Sequence, residues 1–124
     1  MHETVVDDST KLFMRRMEQI HDELEAVRHE LGRPDLLNLA ARTRELLRRT
    51  KGLLDGNVNI LFGHHPRAGE ELYKHIEWAE GHLNKALAEE CDFDAIKKRV
   101  YMATTLADYV IAVVDKAVQE MVGK

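Results

Sequence analysis

Histidine and carboxylate side chains at three- and four-residue spacing are the residues of this 124-residue chain best suited to chemistry. His75 and His82 stand seven apart and Glu71 precedes His75 by four, so on a helix the three share one flank. Upstream, Glu18 and His21 are three apart and Glu25 follows His21 by four. Imidazole and carboxylate ligands presented in this way suit zinc or another transition metal ion. The expected metal set is therefore His21, Glu71, His75 and His82, and a transition metal ion is the one cofactor the sequence suggests. The plainer reading places the seven histidines at the edge of a core, with one ring nitrogen in water.

These side chains need helices to present them, and apolar periodicity supplies four. Phe13, Met17, Ile20, Leu24, Val27 and Leu31 recur at steps of three and four, as do Leu36, Leu39, Thr43, Leu46, Thr50 and Leu53. Leu72, Ile76, Ala79, Leu83 and Ala86 form a third stripe, and a fourth runs from Ile96 through Val100, Ala103, Ala107, Val110, Val114 and Ala117 to Met121. The expected helices are about 9–31, 36–54, 66–89 and 94–122. Ser9 and Asp35 are suited to cap the first two, Pro66 to open the third, and Asp92 or Asp94 to cap the fourth. Gly32 to Pro34 marks one break, and the third helix is expected to end around Glu89 to Cys91, with Gly123 a stop for the fourth. Residues 55–65, with two glycines and two asparagines, read as a connection rather than an element. Short links force neighbouring helices to run in opposite directions, so the fold class is all-α, an antiparallel up-down-up-down four-helix bundle forming a single domain over 1–124. The fourth helix, at roughly 42 Å, is expected to overhang a second helix of roughly 28 Å. Its apolar face is wide enough for Ile111 and Val118 to meet a partner, which favours a homodimer.

Composition narrows the function classes. Lys and Arg total 18 against 22 Asp and Glu, a formal net charge of −4, which argues against nucleic acid or an anionic membrane as partner. No apolar run reaches the roughly 18 residues of a membrane span, and Glu3, Asp7 and Asp8 do not fit a signal peptide, so a cytoplasmic protein is expected. Cys91 is the only cysteine, placed among acidic residues that leave its thiol inert. On the second helix Arg44, Arg48 and Lys51 form a basic stripe suited to an acidic protein partner, and Trp78 is an aromatic anchor off the buried stripe of the third. His64, His65, Arg67 and Gly69 surround a helix start, where free amides favour a small anion.

Short stretches resemble four known families. Glu18-x-x-His21 is similar to one of the Glu-x-x-His pairs of ferritin-like di-iron bundles, which need two such pairs; hemerythrin-like sites need histidines on several helices, and the second and fourth have none. His82, with Lys85 three residues on and Ala86 next, resembles the histidine phosphotransfer domains, where lysine neutralises the phosphoryl group and a glycine stands at the following position. That resemblance implies His82 as phosphoacceptor with Lys85 beside it. Thr104 to Val110 looks like the second acidic helix of all-α nucleotide pyrophosphohydrolases, but Thr105 and Lys74 stand where magnesium-binding glutamates belong, which leaves Asp108 as a surface residue. Leu54-Asp55 and Leu72-Tyr73 resemble helix ends of the flagellar secretion chaperones. The function expected is therefore a small interaction, adaptor or chaperone-like protein without catalysis of its own, with a His/Glu metal bundle and a phosphotransfer domain as the alternatives.

Overall fold

The computed structural model describes residues 8–32, 35–88 and 92–122. Its four helices are α1 (Asp8–His29), α2 (Leu36–Phe62), α3 (Pro66–Ala88) and α4 (Phe93–Val122). The sequence boundaries at Arg33, Pro34, Glu89, Cys91 and Gly123 fall outside the described residues. Each helix begins where local chemistry allows. Asp92 accepts the Ala95 amide on its Oδ1 at 2.8 Å and so caps α4. Asp35 sits at the cap position of α2, yet its carboxylate takes the Asn38 side-chain amide at 3.2 Å instead of a backbone donor. Ser9 is already inside α1.

The largest departure from the sequence reading is α2, which continues through 55–62 where a connection was expected. Gly52 and Gly56 each cost about 1 kcal/mol in a helix interior relative to alanine. Burial of Leu54 and Phe62, with Val58 and Leu61 packed against the core, more than offsets that at about 1.5–3 kcal/mol per fully buried side chain. Asn57 turns its amide back onto the Leu53 carbonyl at 2.8 Å rather than starting a turn. At 27 residues α2 spans about 40 Å against about 45 Å for the 30 residues of α4, so the expected overhang shrinks to about one turn.

Contacts between side chains fix the directions. Glu30 pairs with Arg42 and Glu23 with Arg49 between α1 and α2; Asp55 meets Tyr73 between α2 and α3. His75 stacks on Tyr109 and His82 meets Arg99 between α3 and α4, while His21 meets Asp108 and Arg28 meets Thr104 between α1 and α4. Every one of these pairs runs antiparallel. α2 and α4 also pack on each other, whereas the backbones of α1 and α3 stay apart. The bundle is thus an α2–α4 spine with α1 on one side and α3 on the other.

One hydrophobic cluster links all four helices and contains the stripes of the first and third helices almost as spaced. Leu24, Leu47, Leu54, Leu83 and Val100 are fully enclosed. Gly69 is buried where α3 crosses α2, and a Cβ there would lie 3.0 Å from Val58 Cγ2 and 3.5 Å from Phe62 Cβ. This close approach is reason enough for a glycine at the position. Buried Thr43 and Thr50 donate to the Leu39 and Leu46 carbonyls one turn back at 2.7 and 2.8 Å. Among the described residues no buried side-chain polar atom lacks a partner.

Two positions expected to meet a partner prove to be core. Ile111 is 6% exposed and Val118 is 1% exposed. The width of the apolar face on α4 is consumed internally, because this helix packs against α1, α2 and α3 at once. Met121, expected in the buried stripe, is exposed, since burial along α4 ends at Val118.

Candidate functional site

The histidine flank of α3 meets α4 along a seam that remains open to solvent. Glu71, His75, Trp78, His82 and Lys85 follow one another at steps of four and three, so they form a single stripe beside the buried one. His75 is half-buried, and its Nδ1 contacts the Glu71 carbonyl oxygen at 2.7 Å. Its ring stacks on Tyr109 with centroids 4.7 Å apart and tilts against Trp78 at 5.1 Å. Trp78 is nevertheless 57% exposed and Tyr109 50% exposed. Two large aromatic surfaces are thus held in place by a third ring while half or more of each stays wet. Met102 on α4 is also exposed.

At the far end of the seam, Arg99 Nη1 donates to His82 Nδ1 at 3.3 Å. His82 is half-buried, and burial first, then the Arg99 and Lys85 charges, pushes its pKa below the usual histidine value. The imidazole that the phosphotransfer resemblance would make a phosphoacceptor lies against a guanidinium, with Lys85 exposed one turn on.

A second polar cluster joins α1 to α4. Asp108 Oδ1 lies 2.7 Å from His21 Nδ1, and its Oδ2 receives Arg28 Nη1 at 2.9 Å. Arg28 also donates from Nη2 to the Thr104 carbonyl at 3.1 Å and from Nε to the Thr104 hydroxyl at 3.3 Å. His21 Nε2 has Glu25 at 3.4 Å. The hydrogen bond to Asp108 is the main cause of a raised His21 pKa, assisted by the charges of Asp108, Glu25 and Asp22 and opposed by burial. Asp108, expected at the surface, is a half-buried hub of this network. A groove of about 450 Å³ opens beside it, with Met14, Met17 and Ile111 among its apolar walls and Glu18 and Asp115 among its polar ones.

The residues expected to share a metal ion are divided between these places. His21 stands on α1 and Glu71, His75 and His82 on α3, and the backbones of those two helices stay apart. Seven residues separate His75 from His82 along α3, about 10 Å of rise. Among the described residues no three His, Cys, Asp or Glu side chains are grouped so as to hold a metal ion.

Arg44, Arg48 and Lys51 are exposed along α2 as their spacing implied. Arg48 is turned toward Glu45 on its own helix at 3.2 Å. His64, His65 and Arg67 are exposed at the start of α3. Leu54-Asp55 and Leu72-Tyr73 do meet, since the Tyr73 hydroxyl donates to Asp55 Oδ1; burial and that carboxylate push the phenol up to about 12. Among the described residues no helix is long and apolar enough to cross a membrane. Comparison of the chain with protein-family models, with curated proteins and with solved structures finds no match.

Of these features, sequence spacing identifies the α3 stripe directly. It misses the Arg28–Asp108–His21 network, whose members are 80 and 87 positions apart and become neighbours only through the pairing of α1 with α4. The stacking of Tyr109 on His75 is hidden for the same reason.

Proposed function

We propose that this bundle works by docking rather than catalysis, and that its first partner is a second copy of itself, seated on the α3–α4 seam about a two-fold axis near Trp78. The observation that carries the reading is the stripe centred on that residue. Glu71 lies seven positions before Trp78 and Lys85 seven after, both exposed, with His75 and His82 between. Two antiparallel copies of α3 crossing at Trp78 set each Glu71 beside the other copy's Lys85, which is the self-complementarity an isologous contact requires. Trp78 and Tyr109 supply the aromatic area that anchors interfaces, and the stacking on His75 limits the rotamer freedom lost on association.

Sedimentation at several concentrations, with and without Trp78→Ala, tests this. The native chain is expected to dimerise and the variant to remain monomeric. Since Trp78 is the single tryptophan, its emission reports the same event by shifting to the blue as concentration rises. Glu71→Lys alone and Lys85→Glu alone are expected to weaken the dimer, and the double exchange to restore it. A native chain that stays monomeric throughout, or a double exchange no better than either single one, overturns the reading.

A further inference from the structure

Between α1 and α2 an ion-pair ladder stops one rung short. Glu30 pairs with Arg42 at 2.8 Å and Glu23 with Arg49 at 3.0 Å, each rung seven residues from the other on both helices. The same register carried one heptad further sets Arg16 opposite Gly56. The carboxylate of α1 has become an arginine there and the arginine of α2 a glycine. Arg16 has no ion-pair or hydrogen-bond partner among the described residues. Gly52 and Gly56 are exposed in the interior of a helix, and a Cβ at either would meet nothing. Packing thus gives no reason for two residues that weaken α2. The space beside Gly52 opens into a groove of about 450 Å³ walled by Arg16, Gln19, Arg49 and Gly52, with Ile20 and Leu53 beneath. That volume lies in the range of small-molecule sites, and an apolar floor with a few convergent polar groups is their usual make-up.

We infer that the α1–α2 groove binds an amphiphilic oxyanion, a carboxylate or phosphate on a short apolar body. The head group completes the ladder by taking the charge-assisted hydrogen bonds of Arg16 and of the Arg49 edge turned away from Glu23, with Gln19 as a further donor. The apolar body lies along Ile20 and Leu53 through the gap kept by Gly52. This site is on the opposite flank of the spine from the α3–α4 seam, so it does not rest on self-association.

Calorimetric titration of the full chain with decanoate, decyl phosphate, inorganic phosphate and decyltrimethylammonium tests the inference. Decanoate or decyl phosphate is expected to bind, the tighter of the two naming the head group, with inorganic phosphate weaker and the cation not binding. Arg16→Gln is expected to weaken that binding roughly tenfold or more, the loss of a charge-assisted hydrogen bond. Gly52→Leu is expected to fill the gap and abolish binding while leaving the melting temperature unchanged or higher, which separates lost binding from lost folding. No binding of either amphiphilic anion, equal binding of the cation, inorganic phosphate as tight as its decyl ester, or binding indifferent to both substitutions overturns the inference.

Discussion

His21 Nδ1 and Asp108 Oδ1 stand 2.7 Å apart across the α1–α4 contact, although 87 positions separate them in the chain. The contact ties the charge of an imidazole to the attachment of a helix. Because Asp108, Glu25 and Asp22 hold the His21 pKa above its ordinary value, the folded state binds this proton more tightly than the unfolded chain does. The stabilisation is complete below the unfolded value of 6.5 and is lost as pH rises through the raised folded value. Urea denaturation at acid and alkaline pH is expected to show this loss, and His21→Gln to reduce it.

His82 acts with the opposite sign. Its folded pKa is depressed by burial and by Arg99 and Lys85, so its contribution is present above 6.5 and lost as pH falls through the lowered folded value. Titration of the two imidazoles by NMR is expected to give a midpoint above 6.5 for His21 and below it for His82. Equal midpoints would contradict both assignments.

Removal of the Asp108 carboxylate leaves Arg28, only a quarter exposed at its side chain, without its anionic partner. Asp108→Ala is expected to cost about 1–3 kcal/mol, the range for stranding a partly buried polar group. Amide exchange should rise along α1 before it rises in α3, because the broken contacts join α1 to α4 alone.

Glycines on the spine should respond to alanine with opposite signs. At Gly52 a methyl meets nothing, so Gly52→Ala is expected to add about 0.5–1 kcal/mol through helix propensity. At Gly69 the same methyl arrives 3.0 Å from Val58 Cγ2 and beside Phe62, and the overpacking is expected to cost about 1 kcal/mol or more. Thermal melts of the two variants, measured side by side, check the contrast.

Much of the bundle is legible in the sequence because burial and periodicity report the same thing. All six stripe positions of the first helix, Phe13 to Leu31, are buried. Residues 55–62 were not legible, because Gly56, Asn57 and Asn59 carry local turn signals that the burial of Phe62 overrides. Ile111 and Val118 look like surplus apolar surface until α4 is known to have three neighbours. For the candidate site, the stripe from Glu71 to Lys85 can be read from spacing, whereas Tyr109 joins it only through the register of α3 on α4. The metal set failed to assemble because spacing describes one helix at a time and says nothing of which helices touch.

The separation of α1 from α3 makes the first helix a tethered ligand of the other three. It is held through the ladder to α2 and the Asp108 network to α4, and the few residues between His29 and Leu36 keep it at a high effective concentration. Its buried side chains from Phe13 to Leu31 join those two polar edges in holding it, so a change at either edge is a change in how firmly this one helix is docked.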